Sequence, residues 1–221
     1  RAIQRGSNKI FPGTKTTLIP VADGGNGTLE VLVGEKSGSY SKTLVAGPLN
    51  EDVLASWGVM SDKKTVVIES ARACGLTLLS PNLRNPLKTT TKGVGELIRT
   101  ALDVGYRQII LGVGGSATND GGVGMAQELG IRFFDEYGED LPFGGGSLVD
   151  LKTIDLKGLD PRIAESEITV ALDVQNPLCG PEGAAKVYGP QKGADLTSIQ
   201  VLEKGLERLS TVIYQTYGVD I

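Results

Sequence analysis

Residues 112–124 read Gly112-Val-Gly-Gly-Ser-Ala-Thr-Asn-Asp-Gly-Gly-Val-Gly124. The apolar run before this stretch, Arg107-Gln-Ile-Ile-Leu111, predicts a buried strand, and Val123-Gly-Met-Ala-Gln-Glu-Leu129 predicts the first turns of a helix. A glycine-rich loop between strand and helix gathers unpaired backbone N–H groups, small polar side chains and the positive end of a helix dipole. Such a loop favours an anionic ligand, phosphate above all.

A second glycine loop, near the start of the chain, has the same build. Thr16-Thr-Leu-Ile-Pro-Val21 predicts a strand, and Ala22-Asp-Gly-Gly-Asn-Gly-Thr28 predicts the turn that follows it. Leu29-Glu-Val-Leu-Val33 predicts a short helix, with Thr28 as its N-cap. One such loop can be a structural turn only. Two of them, each with an aspartate among glycines, favour phosphate or sugar-acid chemistry.

The composition is that of a globular protein with an excess of glycine. Of the 221 residues, 40% are hydrophobic and 22% are charged, and there are 31 glycines. That is about twice the usual share of about 7%. The formal net charge of −4 provides no basic surface for nucleic acid. No apolar run approaches the ~18 residues of a membrane span, so we expect neither a nucleic-acid nor a membrane partner.

Cysteine usage and the absence of a leader sequence favour a cytoplasmic location. Cys74 and Cys179 lack metal-ligand spacing, and the sequence neither supports nor excludes a disulfide between them. No charged-then-apolar signal peptide opens the sequence. A reducing compartment is therefore expected.

The sequence contains no histidine. A Ser-His-Asp triad, an imidazole base and a His-ligated zinc site are thereby excluded within this chain. Proton transfer must use Asp, Glu, Lys, Tyr or Cys. A metal would need hard oxygen ligands, which favours Mg²⁺ over a transition metal.

Strands alternating with helices predict an α/β fold, and hairpins within the pattern predict a mixed sheet. The hairpins are residues 53–60 with 64–69, and Ile131-Arg-Phe-Phe134 with the turn at 135–138. Amphipathic helices are predicted at 91–102 and 195–216, and a strand at 167–172.

The sequence also predicts how the chain is divided. A change in composition near Ala46-Gly-Pro48 indicates a domain boundary. Arg1-Ala-Ile-Gln-Arg5 is typical of the end of a helix, and Tyr217-Gly-Val-Asp-Ile221 stops as if entering another element. We therefore expect the chain to be part of a larger protein.

Known nucleotide-binding motifs match the glycine loops weakly or not at all. Gly112-x-Gly114-x-x-Ala117 matches a loose dinucleotide fingerprint, but the acidic residue that it requires about 20 positions on falls at Asp135, in a predicted hairpin turn. An NAD-linked dehydrogenase is therefore a weak alternative. No P-loop sequence and no protein-kinase signature are present.

Four charged residues are candidates for chemistry. Asp23 and Asp120 lie among glycines, where a ligand can approach the backbone closely, although each could instead cap a helix or tie a turn. Asp173 follows an apolar strand, at the edge where α/β sheets bind ligands, or it forms a turn before Asn176-Pro177. Lys192, in Gly189-Pro-Gln-Lys-Gly193, could meet a phosphate or carboxylate, or could be a solvated surface lysine.

These residues carry a resemblance to a known family. Pro20-Val-Ala-Asp-Gly-Gly-Asn-Gly-Thr28, the 112–122 loop, Phe143-Gly-Gly-Gly-Ser-Leu148 and Gly189-Pro-Gln-Lys-Gly-Ala194 resemble the type I glycerate kinases. Gly47-Pro-Leu49, Ala55-Ser-Trp57 and Gly158-Leu-Asp-Pro161 fit the same family in order, so the resemblance covers essentially the whole chain.

The resemblance implies ATP-dependent phosphorylation of the small molecule D-glycerate to 2- or 3-phosphoglycerate, with Mg²⁺. It also implies two α/β domains with the active site in the cleft between them. Residues 1–46 would be part of a Rossmann-like parallel-sheet domain, present here only in part, and residues 47–221 an inserted mixed α/β domain.

Within that reaction we expect roles for each candidate residue. Asp120 or Asp23 would orient the attacking hydroxyl and accept its proton, the other acid or Asp173 would hold Mg²⁺, and Lys192 would neutralise charge on the phosphoryl oxygens. The residues expected to bind substrate and phosphate are Gly24, Gly25, Gly27, Thr28, Gly114, Gly115, Ser116, Ala117, Thr118 and Asn119.

The chain departs from the family pattern in two ways. The family's opening Pro-Asp-Ser-Phe-Lys-like and closing Thr-Gly-Glu-Gly-like segments do not occur in it, and Asn26 stands where the family usually has Glu. These departures leave a second hypothesis: a catalytically weakened relative that binds a sugar acid or nucleotide without phosphoryl transfer.

Overall fold

A mixed five-stranded sheet organises the fold, in the strand order β1-β2-β3-β4-β7. The structure is a computed structural model that describes residues 2–34 and 38–221. Its strands are β1 (Ser39–Ala46), β2 (Asp52–Val59), β3 (Thr65–Glu69), β4 (Gln108–Gly112), β5 (Arg132–Phe134), β6 (Thr153–Asp155) and β7 (Glu167–Ala171). β1, β2 and β3 pair antiparallel, whereas β3, β4 and β7 pair parallel. β5 and β6 form a separate antiparallel pair.

Helices cover both faces of the sheet. They are α1 (Ala2–Ile10), α2 (Thr28–Val33), α3 (Ala71–Cys74), α4 (Lys92–Asp103), α5 (Val123–Glu128), α6 (Ala184–Tyr188) and α7 (Leu196–Tyr217). None of the helices in the described part of the chain is long and apolar enough to cross a membrane.

The residues of β3 show why both faces need cover. Val66 and Ile68 point to the face that α4 buries with Leu97 and Ile98, while Val67 points to the opposite face. Leu29 of α2 packs with Val67 there. A strand buried on both faces is continuously apolar, as the run Val66-Val-Ile68 is.

The long helix α7 builds a second hydrophobic core. Its apolar stripe, with Leu202, Leu206 and Leu209 buried, packs against residues that include Leu148 and Phe133. Asp195 begins the helix by accepting a hydrogen bond from the Ser198 N–H at 2.7 Å. Gly218 ends it in the left-handed conformation, with φ of 70°.

Most of the predicted elements are confirmed. The hairpin of β2 and β3, helix α4, the succession from β4 to α5, strand β7 and helix α7 all lie within a few residues of their predicted bounds. The prediction of a mixed α/β fold is confirmed as well. The helix predicted to end near residue 5 continues to Ile10, and Arg1 lies outside the described residues.

The strand predicted at 16–21 is wrong. These residues form no regular secondary structure, and Ile19 and Val21 are exposed. A β-rich sequence becomes a strand only with a neighbour to pair with, and no described strand pairs with this segment. Pro20 further weakens it, because proline lacks the N–H that a ladder needs.

The short hairpin predicted after residue 131 is confirmed, and its first arm is β5. Across the turn, the Leu141 N–H donates to the Phe133 carbonyl oxygen at 2.8 Å and the Asp135 N–H to the Glu139 carbonyl oxygen at 3.0 Å, and Phe134 and Asp140 form an isolated bridge. β5 also pairs with β6, about 20 residues further on, which the sequence does not predict. The local turn signal therefore identifies one neighbour of β5 and misses the other, which lies further along the chain.

The division of the chain at residue 46 stays a prediction. β1, which ends at Ala46, pairs with β2 from Ser39 to Ala46, and the predicted boundary falls in the turn of that hairpin. A division placed ahead of β1 would leave the sheet whole.

Candidate active site

The candidate site lies where the three parallel strands end. β3 ends at Glu69, β4 at Gly112 and β7 at Ala171, and these three residues share one edge of the sheet through the registers Glu69–Gly112 and Gly112–Ala171. The 112–122 loop leaves from the middle of this edge. In open α/β sheets this carboxyl edge is where ligands bind.

The two glycine loops touch each other at this edge. The Gly114 N–H donates a hydrogen bond of 3.0 Å to the Gly24 carbonyl oxygen. Gly24 has φ of +85°, and a Cβ built on it would lie 2.2 Å from the Ala171 carbonyl oxygen. Only glycine permits this backbone-to-backbone approach. Two loops that are separate in sequence therefore form one surface.

Only part of the 112–122 loop faces outward. Gly115 is exposed and Gly114 and Ser116 are half-buried, whereas Ala117, Thr118 and Asn119 are buried. The Ala117 N–H donates to the Cys74 carbonyl oxygen at 2.7 Å, so that group is already satisfied within the protein. The outward face is therefore formed by residues 114–116.

Lys192 is buried against this loop rather than solvated at the surface. Its Nζ donates hydrogen bonds to the Thr118 carbonyl oxygen at 2.5 Å and to Ser116 Oγ at 3.1 Å. Burial lowers the pKa of the Lys192 ammonium, and Cys74 and the Asp120 carboxylate oppose that shift only in part. A cation is thus held beside the outward part of the glycine loop.

Two adjoining cavities open beside Lys192. The larger, of about 360 Å³, is lined by residues that include Asn119 and Asp120. The smaller, of about 240 Å³, is lined by residues that include Gly114, Gly115 and Asp173. Both are lined by Val113, Ser116, Tyr188 and Lys192. Lys192 and Ser116 therefore face both spaces.

Asp120 is fully engaged by the protein itself. Its Oδ2 accepts hydrogen bonds from the Thr91 N–H and Thr91 Oγ1, both at 2.8 Å, and from the Gly124 N–H at 3.3 Å. Its Oδ1 accepts from the Gly122 N–H at 3.2 Å. The buried carboxylate thereby joins the starts of α4 and α5, as the helix-capping alternative predicts.

Asp23 has very different surroundings. It is exposed, and its Oδ1 accepts a hydrogen bond from the Gly25 N–H at 2.9 Å, which ties its own turn. Asp173 is exposed as well and lines the smaller cavity. Among the described residues there is no cluster of three or more His, Cys, Asp or Glu side chains able to hold a metal by themselves.

Thr28 does not cap α2, which corrects the sequence prediction. It is the first helical residue, Gly27 is the N-cap, and Thr28 Oγ1 is buried with no hydrogen-bond partner. The N–H groups of Gly27 and Leu29 instead donate to the buried side chain of Glu69. The carboxylate of Glu69, at the end of β3, therefore accepts hydrogen bonds at the start of α2, the role that the sequence prediction assigned to Thr28.

Sequence reasoning missed Glu69 and its partner Arg72. Glu69 closes the apolar run Val66-Val-Ile68, for which the sequence predicts only one strand of a hairpin. An acidic residue at the end of a strand that is apolar throughout was the available signal. Its contacts with Gly27 and Leu29 lie about 40 residues earlier in the chain, beyond the reach of any local pattern.

The remaining residues of interest are Asn26 and the two cysteines. Asn26 is exposed, and its Oδ1 lies 3.3 Å from the position that a Cβ on Gly115 would take, so this side chain stands over the 112–122 loop. Cys74 and Cys179 are both free thiols. Burial, followed by the charge of Asp120, raises the pKa of Cys74 to about 12, so this thiol is not a nucleophile.

Comparisons with known proteins agree on one family. A model of the "Glycerate kinase family" matches residues 1–221. The chain is 48% identical over 221 residues to glycerate 2-kinase of Escherichia coli (strain K12), covering 100% of this chain and 58% of that protein. It is 48% identical over 217 residues to glycerate kinase of Bacillus subtilis (strain 168), covering 98% of this chain and 57% of that protein.

A solved structure supports the same relationship. A crystal structure assigned to glycerate kinase 2 of Salmonella typhimurium LT2 aligns with a TM-score of 0.88 and 47% sequence identity. The alignment covers 100% of this chain and 59% of that one. The chain thus spans a little over half the length of the relatives that it matches.

Proposed function

Because the chain belongs to the glycerate kinase family, we propose that the full-length protein transfers the γ-phosphoryl group of ATP to a hydroxyl of D-glycerate. The product is a phosphoglycerate, and the name of the Escherichia coli relative, glycerate 2-kinase, favours the 2-hydroxyl as acceptor. The observation that carries the proposal is the single surface made by the two glycine loops, with the Lys192 ammonium beside it.

The reaction needs little covalent help from the protein. An oxygen–phosphorus bond forms between the glycerate hydroxyl and the γ-phosphorus, the bond from that phosphorus to the bridging oxygen of ADP breaks, and the hydroxyl proton must be accepted. Catalysis of such transfers rests on positioning and on stabilising the charge of the phosphoryl oxygens.

Asp23 is the acid best suited to accept the proton. It is exposed, and the described structure engages it in one turn hydrogen bond, so an oxygen is free to meet a substrate hydroxyl. Asp120 already accepts four hydrogen bonds from Thr91, Gly122 and Gly124. We assign Asp120 to holding the loop and Asp23 to the proton transfer.

Lys192 and the outward part of the 112–122 loop suit the phosphoryl group. Lys192 Nζ lies 3.1 Å from Ser116 Oγ, and both line the smaller cavity with Gly114 and Gly115. A buried ammonium stabilises charge more strongly than an exposed one because water does not screen it. Asn26, whose Oδ1 stands over Gly115, lies beside the same outward part of the loop.

The residues present fit Mg²⁺ as a partner of ATP. In nucleotide enzymes Mg²⁺ keeps several waters and uses one or two carboxylates together with the substrate's phosphates, so a cluster of three protein ligands is not required. Asp173 lines the same cavity as Ser116 and would be such a carboxylate. When bound, the ion would neutralise charge on the phosphate oxygens.

The test is ³¹P NMR of the full-length protein with MgATP and D-glycerate. We expect a new phosphomonoester signal to appear together with ADP. Coupling of that phosphorus to one proton would identify the 2-position, and coupling to two protons the 3-position. Intact ATP, with D-glycerate still binding by calorimetry, would contradict the kinase and support a protein that binds without transferring phosphate.

A further inference from the structure

Glu69 stands at the junction of the two glycine loops. It is the last residue of β3, it is paired in register with Gly112, and its side chain is 1% exposed. The next residue, Ser70, donates its N–H to the Gly112 carbonyl oxygen at 2.8 Å. Glu69 is therefore anchored directly beside the start of the 112–122 loop.

The carboxylate of Glu69 reaches across to the other loop. Its Oε1 accepts hydrogen bonds from the Gly27 N–H at 2.9 Å and from the Leu29 N–H at 2.7 Å. These two groups belong to the turn at 23–28 and to the first turn of α2. Such bonds to a buried carboxylate are charge-assisted and stronger than those between neutral groups.

Arg72 completes the attachment. Its Nε donates to Glu69 Oε2 at 2.7 Å, and its Nη2 lies 2.5 Å from Glu30 Oε1 in α2. Burial alone would lower the pKa of the guanidinium, but Glu69 and Glu30 outweigh that effect and raise it. The inner pair is buried on the Glu69 side, whereas Glu30 is half-exposed.

The loops leave little freedom between them. A Cβ on Gly114 would lie 2.8 Å from the Gly25 Cα, and one on Gly112 would lie 2.6 Å from the Gly24 carbonyl oxygen. Backbones this close cannot slide independently, so a shift of the turn at 23–28 must move Asp23 relative to residues 114–116.

We propose that Glu69 is a positioning residue for phosphoryl transfer: it fixes the turn at 23–28 against the 112–122 loop and so sets where Asp23 stands relative to Ser116 and Lys192. The inference rests on the proposed kinase function. Glu69 itself touches neither cavity and has no contact with the reacting groups, so its effect is carried by Gly27, Leu29 and the loop contact.

The test compares Glu69→Gln with wild type in the full-length protein. Glutamine keeps the shape and one acceptor oxygen but places an NH₂ where an N–H or Arg72 now donates. Because displacement of a reacting group by about 1 Å can cost about 100-fold, we expect kcat to fall at least about tenfold. We expect the KM values for ATP and D-glycerate to change much less. The Gly27 and Leu29 amides should exchange with solvent at least about tenfold faster by NMR.

Two further variants keep the test decisive. Glu30→Gln removes only the half-exposed outer ion pair and should leave kcat and both exchange rates unchanged. Glu69→Asp keeps the charge but draws the carboxylate back by one methylene, so it should also lower kcat and speed the exchange of the Gly27 and Leu29 amides. This variant replaces Glu69→Gln in the test if Glu69→Gln does not fold. Wild-type kcat and wild-type exchange in a folded Glu69 variant would overturn the proposal, as would a rise in KM with kcat intact.

The exchange measurement also separates this proposal from the proposed function. If the wild-type protein transfers no phosphate to D-glycerate, the kinase assignment fails, whereas faster Gly27 and Leu29 exchange in Glu69→Gln would still establish the attachment. Unchanged exchange in an active, folded variant would remove the positioning role and leave the kinase assignment intact.

Discussion

Two aspartates in similar sequence settings have opposite surroundings. Asp23 lies in Ala-Asp-Gly-Gly and Asp120 in Asn-Asp-Gly-Gly, yet Asp23 is exposed and Asp120 is 2% exposed. The difference arises from Thr91, which lies 29 residues before Asp120 in the chain and directs both its N–H and its hydroxyl at the carboxylate. Position among glycines therefore does not decide the role of an aspartate; its donors do.

Substitution of each aspartate by asparagine should separate the two roles. Asp120→Asn places an NH₂ against N–H donors in a buried site, so we expect the free energy of unfolding to fall by at least about 2 kcal/mol, and turnover to fall with it. Asp23→Asn should leave stability unchanged and reduce turnover at least about 100-fold, the scale of a lost general base. Urea unfolding and steady-state kinetics measure both. Near-normal turnover of Asp23→Asn would remove it from the mechanism.

The charge of Lys192 predicts an alkaline limit to activity. Burial lowers the pKa of the ammonium from its ordinary value of 10.5, so the charge is present at low pH and is lost, as pH rises, earlier than in a solvated lysine. We expect kcat/KM to fall on the alkaline side with a pKa below 10.5. Lys192→Gln should lose most of kcat/KM, and its kcat/KM should no longer fall on the alkaline side with this pKa. A variant that kept the limb would show that another group titrates.

At the scale of elements, the loop at 23–28 is held by backbone contacts in addition to the side chains of Asp23 and Glu69. The loop at 23–28 follows a segment without regular structure, yet it meets β4 and β7 through glycine backbones. Gly24 and Gly13 both have positive φ, of 85° and 92°, but a Cβ on Gly13 would meet nothing within 4 Å. A side chain at Gly13 would therefore meet only the strain of the left-handed conformation, whereas one at Gly24 would meet that strain and a steric clash as well.

Alanine at these two glycines should measure how closely the loop at 23–28 packs against the end of β7. In Gly13→Ala the only expected penalty is that alanine must adopt the left-handed backbone conformation, which costs about 1–2 kcal/mol. Gly24→Ala adds a Cβ 2.2 Å from the Ala171 carbonyl oxygen, and overpacking adds about 1–3 kcal/mol. We expect the second variant to lose clearly more free energy of unfolding in urea titrations. Equal losses would mean that the loop at 23–28 is not packed tightly against the end of β7.

Local patterns predicted the elements whose partners are close in sequence. The hairpin of β2 and β3 and the helices α4 and α7 have strong periodicity or short turns, and they were predicted within a few residues. Glu69, the partner of β5 and the donors of Asp120 depend on contacts about 20 to 40 residues away. A single sequence does not encode such pairings locally, because they are set by which surfaces pack.

At the scale of the whole molecule, α2 is part of the same unit as the sheet. Leu29 and Val33 are buried against Val67 of β3, on the face opposite α4, with Ile110 of β4 packed beside them. This contact joins residues on both sides of the division predicted at residue 46. The exposed Ile19 and Val21, by contrast, contribute nothing to that core.

Leu29→Ala should therefore destabilise the sheet, although Leu29 lies well before residue 46. Leu29 is fully buried, and truncating a buried leucine costs about 2–5 kcal/mol. If α2 and the sheet unfold together, hydrogen exchange of the Val67 and Ile110 amides should accelerate at least about tenfold in the full-length protein. Leu18→Ala, at a half-exposed position, should leave the exchange of the Val67 and Ile110 amides unchanged. Acceleration confined to residues 1–46 would instead support two separate units divided at that point.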